Sequence, residues 1–177
     1  MATRDIAAAM QRAEAVLRRR PDMGLHDDAP ASASWKGGVR IMATNPNGKQ
    51  IPTDMPTELG GTGDQVTPGW LFRAGLASCA CTCIAMRAAA EGVELAALEV
   101  NASSRSDTRG ILGMTDADGQ PTYAGPGDVR LQVRIAAAGV APERLRQLVE
   151  DAIRCSPIPS AVQFPTPMAL HIDVAAA

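Results

Sequence analysis

The stretch 67-TPGWLFRAGLASCACTCIAMRAAAEG-92 decides how this chain is read. Thr67 suits a helix N-cap. Pro68 suits the first helical position, where its missing N–H would be unpaired anyway. Leu71, Phe72, Leu76, Cys79, Cys83 and Met86 then recur near the helical period. From Ala74 to Ala85 the residues are apolar or small nearly all round, which predicts a helix buried on most sides. Glu91-Gly92 ends it, with glycine as the C-cap. Three thiols ride on this helix. At about 100° per residue, Cys79 and Cys83 share a face and Cys81 points nearly opposite.

Outward from this helix, the pattern alternates between the helical and strand periods. Residues 2–20 form an amphipathic helix, with Ile6, Ala9, Met10, Ala13, Val16 and Leu17 in one stripe, and Pro21 stops it. Residues 21–33 read as loop or linker. Ser34–Thr44 reads as a strand broken at Gly37-Gly38. Asn45-Pro-Asn-Gly48 is a strong turn, and Gln50–Asp54 returns as its hairpin partner. Gly60-Gly61-Thr-Gly63 is a flexible loop, because no Gly-Lys-Ser/Thr follows to make a phosphate loop. Val93–Ser104 is a strand, and 105–127 is a loop with turns. Val129–Ala137 alternates cleanly as a half-buried antiparallel strand. Pro142–Cys155 is a helix, and Pro157 disfavours further helix at Ser156. Met168–Val174 is a last strand. Helices and antiparallel strands in one chain give an α+β domain. Its expected organisation is an N-terminal helix and linker, 1–33, and one domain, 34–177.

Composition excludes several classes. The 177 residues carry a net charge of −2, so no basic face for nucleic acid is implied. Arg18-Arg-Arg20 is a solvated helix end. No uninterrupted apolar run approaches 18 residues, so no membrane span is expected. Arg4 and Asp5 with no apolar run behind them do not make a secretory signal. Four cysteines, three of them within five residues, do not make a disulfide scaffold. A reducing cytoplasm is expected, with any disulfide transient and catalytic.

A thiol inside one helix, Cys79, and a thiol at the end of another, Cys155, could form a reversible redox couple. Buried free cysteines mostly serve as small hydrophobes, the favoured reading for Cys81 and a fair one for Cys83. The negative end of its helix disfavours a thiolate at Cys155. Cys79 lies about three turns into its own helix, beyond the reach of the N-terminal dipole. It therefore needs a cation to become a nucleophile. Arg73 is off its face, Arg87 is nearer Cys83, and Arg40 on a glycine-marked strand could pass over the helix. Zinc is the weaker alternative. Cys79, Cys83 and Cys155 with one histidine make four ligands, but His26 and His171 have no ligand spacing.

Several motifs together resemble the OsmC/Ohr family of thiol-dependent hydroperoxide reductases over roughly residues 34–174. They are Gly37-Gly-Val-Arg40, the Asn47-Gly48 turn, Pro56-Thr-Glu-Leu-Gly-Gly61, and Thr67-Pro68 with its helix to Ala77-Ser-Cys79. Asp107-Thr-Arg-Gly-Ile-Leu-Gly113 and Arg154-Cys155-Ser-Pro157 complete the set. The resemblance implies a curved antiparallel sheet wrapped around a central cysteine-bearing helix. It also implies an intertwined homodimer with active sites at the subunit interface. Cys79 matches the peroxidatic cysteine, Cys155 the resolving cysteine that closes a Cys79–Cys155 disulfide, and Arg40 the catalytic arginine. No bound cofactor or metal is implied; the substrate is an organic hydroperoxide, and an external dithiol, lipoyl-type in the family, recycles the enzyme. The chain departs from the pattern at Gly69, where peroxidase branches carry a glutamate that orients the arginine. Glu58 or Asp64 could substitute. Cys155 is also followed by Ser-Pro rather than directly by proline. The alternative function is a non-catalytic redox sensor or binder of a small apolar ligand.

Overall fold

The computed structural model describes residues 3–164 and 166–175. Helix α1 spans Thr3–Arg19, and a single 3-10 turn, Pro21–Gly24, follows it. Strands β1 (Ser32–Trp35), β2 (Ile41–Thr44) and β3 (Gln50–Thr53) form an antiparallel sheet in sequence order. Helix α2 runs Pro68–Ala90 and leads into β4, Leu95–Arg105. A short helix α3 (Thr108–Ile111), strand β5 (Gly127–Ala137), and helices α4 (Pro142–Arg154) and α5 (Pro157–Gln163) complete the order.

Helix α2 is the spine. The Thr67 hydroxyl accepts from the Trp70 N–H, as the N-cap reading requires, and Gly92 takes the left-handed conformation (φ 69°) just past the C-terminus. α2 packs against β4, α4, α1 and α5. Strands β4 and β5 pair antiparallel with Leu98 opposite Ile135 and Val100 opposite Val133. Those side chains close over a buried cluster of Ile84, Ala88, Leu148 and Ala152. With so few aromatics, small residues let α2 and α4 approach closely, and burial of these side chains holds the pair together.

Four expectations change. The segment expected as one strand broken at Gly37-Gly38 is a hairpin. Both glycines adopt positive φ (107° and 56°), so the chain reverses there and pairs Trp35 with Ile41. Pro157 starts α5 rather than ending order, because proline is suited to a first helical turn. Met168–Val174 forms no strand. Its alternation is real, but Met168, Leu170, Ile172 and Val174 all lie exposed with no ladder to join. Alternation sets a strand's two faces; it cannot supply the neighbouring edge. Finally, α2 is less covered than its composition predicts. Leu76, Ala80, Ile84, Ala88 and Ala89 are buried, while Trp70 and Met86 are exposed. By length and mean hydropathy α2 is also apolar enough to cross a membrane, although Arg73 and Arg87 break its apolar run well short of 18 residues. Its four packing partners make it the core helix of the domain.

Candidate functional site

Cys79 sits on α2 facing the junction of α4 and α5. Its Sγ lies 3.3 Å from the Oγ of Ser156, within hydrogen-bond range for sulfur. Ser156 is fully buried, and Cys79 is half-buried. The local sequence explains why this hydroxyl is available. Ser156 is the N-cap of α5, a position where serine normally accepts from the N–H of the second or third helical residue. The run Ser156-Pro-Ile-Pro159 places proline at the third position, which has no N–H to give. The serine makes no cap bond. Its buried hydroxyl turns to the Cys79 sulfur instead, as a buried polar group must find some partner.

The chain thus sets Ser156, not Cys155, against Cys79. Cys155 is the C-cap of α4, and it is exposed. It lines a cavity of about 270 Å³ together with Cys83, Met10, Met86 and Arg87. The one-residue offset in Arg154-Cys155-Ser-Pro157 decides this. On a helix end one residue is a rotation of about 100°, enough to carry a side chain to another face.

Arg40 sits in a cage of oxygens. Its Nη2 donates to Asp54 Oδ2 at 3.0 Å, to Asp64 Oδ1 at 2.5 Å and to the Thr62 hydroxyl at 2.8 Å. Asp64 was among the expected substitutes for the missing glutamate. Glu58 was not drawn in; it is exposed, next to the Thr57 hydroxyl. Asp54 was missed, although it is the buried carboxylate of the set. It also accepts from the N–H groups of Met55 (2.8 Å) and Thr62 (2.9 Å). The hydroxyl and N–H of Thr62, then the Met55 N–H and the Arg40 charge, hold Asp54 down to about 2 against the opposing effect of burial. Asp64 is held below the ordinary carboxylate range chiefly by its hydrogen bond with Arg40, which is itself raised by Asp64. Gly61 permits this loop. A Cβ there would lie 1.8 Å from the Met55 carbonyl oxygen and 2.9 Å from Asp54 Oδ1.

Gly69 is not required for space. A Cβ there would meet Arg73 Nη1 at 3.7 Å and Thr67 Oγ1 at 3.8 Å, both ordinary contacts. The other cations considered are occupied elsewhere: Arg73 donates to Ser104 at 3.4 Å, and Arg87 pairs with Glu91 and Asp151. Thr62 and Asp64, which hold Arg40, precede α2, whereas Cys79 lies eleven residues beyond Pro68. At about 1.5 Å per residue that is about 17 Å along the axis. Among the described residues no hydrogen bond joins Arg40 to Cys79; Arg40 donates to Asp54, Thr62 and Asp64, and Cys79 meets Ser156.

A largely apolar cavity of about 510 Å³ is lined by Leu76, Leu131, Val149, Ile153 and Pro159 and also by Glu150, Arg154 and Gln163; neither Cys79 nor Ser156 is among its lining residues. Leu76 is one turn before Cys79, and Pro159 is one turn after Ser156. Among the described residues no group of three or more His, Cys, Asp or Glu side chains is assembled around a point where a metal could sit. His26 faces Asp28 at 3.8 Å, and His171 is exposed in the C-terminal segment.

A family model described as OsmC-like protein matches residues 61–171. No curated protein matches the chain significantly. Solved structures do. An OsmC-like protein from Mycoplasma pneumoniae superposes with a TM-score of 0.65 at 18% identity, covering 78% of this chain and 89% of that one. An OsmC-like protein of unknown function from Vibrio cholerae gives 0.62 at 16% identity, covering 78% and 95%. An organic hydroperoxide resistance protein from Elizabethkingia anophelis gives 0.60 at 22% identity, covering 80% and 93%. At these identities the likeness is one of fold.

Proposed function

The chain belongs to the OsmC-like protein family, and on that premise we propose that it reduces organic hydroperoxides through the thiol of Cys79. The observation that carries the reading is the contact between a half-buried thiol and a fully buried hydroxyl, 3.3 Å apart, each one helical turn from a residue that lines a largely apolar cavity. Ser156 donates its O–H to the Cys79 sulfur once that sulfur is a thiolate, a charge-assisted bond from a hydroxyl that is itself fully buried. The thiolate attacks the terminal oxygen of the hydroperoxide. An S–O bond forms, the O–O bond breaks, and the leaving alkoxide takes a proton to become the alcohol. Cys79 is left as a sulfenic acid. The apolar cavity supports a substrate with a hydrocarbon body rather than hydrogen peroxide.

Arg40 stabilises the charge on the attacked oxygens. Arg40 makes its contacts with Asp54, Thr62 and Asp64 and none with Cys79 of the same chain, so in this reading it serves the thiol of a second copy. A homodimer is supported by the incomplete cover of α2 and by the exposed apolar residues of the C-terminal segment.

Because a serine occupies the position against Cys79, the sulfenic acid is returned by an external dithiol. One thiol of the dithiol forms a mixed disulfide with release of water, and the other displaces Cys79. The Cys79–Cys155 disulfide implied by the family resemblance would require the α4–α5 junction to turn by one residue. The test is consumption of cumene hydroperoxide by the purified protein with excess dihydrolipoamide. Turnover should fall in Cys79→Ser to the slow oxidation of the remaining thiols and survive in Cys155→Ser. Loss in both variants would make Cys155 the resolving residue. A single stoichiometric oxidation of the unaltered protein, with no turnover, would replace the enzyme reading by that of a sensor.

A further inference from the structure

Helices α2 and α4 run antiparallel, and three contacts fix their register. Cys79 meets Ser156 at 3.3 Å, Arg87 meets Asp151 at 3.5 Å, and Glu91 meets Arg144 at 2.5 Å. From the first contact to the last, the chain advances from Cys79 to Glu91 while its partner segment runs back over an equal length from Ser156 to Arg144. Cys83 lies midway between Cys79 and Arg87, so it faces the last turn of α4, residues 152–155. It packs on the cluster that contains Ala152, one turn before Cys155 on the same face. Both thiols line the cavity of about 270 Å³ that Met10 of α1 covers. Cys155 is open to solvent, and Cys83 is half-buried behind it.

We propose that Cys83 and Cys155 are a second redox pair, separate from Cys79, that closes into a disulfide between α2 and α4 when the protein meets an organic hydroperoxide. Cys155, the solvent-exposed thiol of the pair, reacts first, and slowly, because it lies at the negative end of α4. Its sulfur forms a bond to the terminal peroxide oxygen, the O–O bond breaks, and the alcohol leaves with the proton lost from the thiol. Cys83 then attacks the sulfenic sulfur; the S–S bond forms, the S–O bond breaks, and water leaves with the Cys83 proton. The two thiols lose two electrons and the hydroperoxide gains them. Packed helix axes lie about 8–10 Å apart, so facing residues on α2 and α4 bring their Cα atoms toward the 4.4–6.8 Å that a disulfide spans, about one side chain of adjustment. The product locks the end of α4, and with it Ser156, against α2.

Mapping the cross-link tests this directly on the full-length protein. Trypsin releases Cys79, Cys81 and Cys83 on one peptide, 74–87, and Cys155 on another, 155–177. After one equivalent of cumene hydroperoxide and alkylation, the 74–87 to 155–177 linkage should appear by mass spectrometry without reduction. It should persist in Cys79→Ser and in Cys81→Ser and fall at least tenfold in Cys83→Ser. If Cys83→Ser does not fold, Cys155→Ser gives the second arm: Cys83 should then stay alkylatable after oxidation. Linkage that survives in Cys83→Ser but is lost in Cys79→Ser would overturn the proposal. So would linkage between two chains, seen as doubled mass on a non-reducing gel, or no linkage at all. The pair does not depend on peroxidase turnover at Cys79, so an inactive protein that still forms this link would overturn only the enzyme reading.

Discussion

Ser156→Cys puts a thiol where the buried hydroxyl now faces Cys79. The gap is 3.3 Å. A disulfide needs about 2.05 Å, so the α4–α5 junction must close by about 1.3 Å. Cys79 and position 156 are 77 residues apart, and closing a loop of that length removes about 15 cal/mol/K of chain entropy from the unfolded state. At 25 °C this is about 4.5 kcal/mol, an upper value that strain in the closing motion reduces. For a chain of this size about 2 kcal/mol of realised stabilisation corresponds to a rise in Tm of about 4–8 °C. The assay compares thermal unfolding of the variant, oxidised and reduced, with the unaltered protein under the same two conditions. Peptide mapping in a Cys83→Ser, Cys155→Ser background identifies the bond. A variant that forms no bond to Cys79 under mild oxidant would refute the placement of Ser156 against the sulfur. A bond that leaves Tm within about 1 °C of the reduced form would refute the argument that the two helix ends are already set for it.

Five other outcomes are expected. Arg40→Met should lower turnover by about 10²–10³, the loss seen when one preorganised donor is removed. Mixing Arg40→Met with Cys79→Ser chains should restore about a quarter of the activity, because half the dimers are then mixed and each has one complete site; no recovery would place Arg40 and Cys79 in the same chain's site. Asp54, held down to about 2, contributes stability that is present above the ordinary carboxylate range and is lost as pH falls toward 2, so Asp54→Asn should flatten an acid-unfolding curve followed by circular dichroism between about pH 4 and 2. Gly61→Ala drives a Cβ into the Met55 carbonyl, where backbone must move, and should cost about 1–3 kcal/mol or more by urea unfolding. Gly69→Glu gains helix propensity and a first-turn acid four residues before Arg73, and should stabilise by about 1 kcal/mol without changing the effect of Arg40→Met on turnover.

The central helix, the Asn45–Gly48 turn and the β4–β5 alternation were legible because each rests on interactions within a few residues. Thr67 caps a donor three residues away, Gly92 takes a positive φ at its own backbone, and Val129, Leu131, Val133 and Ile135 need only a period of two. The chemistry-bearing types were legible too: a thiol on an apolar helix, an arginine on a glycine-marked segment read as a strand and an aspartate at position 64. What faces what was not. That Ser156 rather than Cys155 meets Cys79 depends on the register of two helices 77 residues apart and on the rotation at one helix end. That Asp54 joins the Arg40 cage depends on a loop folding back over Gly61, which no local period records. The Met168–Val174 segment has a strand's alternation and still forms no strand, because a strand is completed only by an edge that lies beside it. Local sequence determined the elements and the reactive groups of this protein. Tertiary packing decided which of those groups touch, because contacts between distant segments are set by how whole faces bury against one another rather than by the spacing of any one pair of residues.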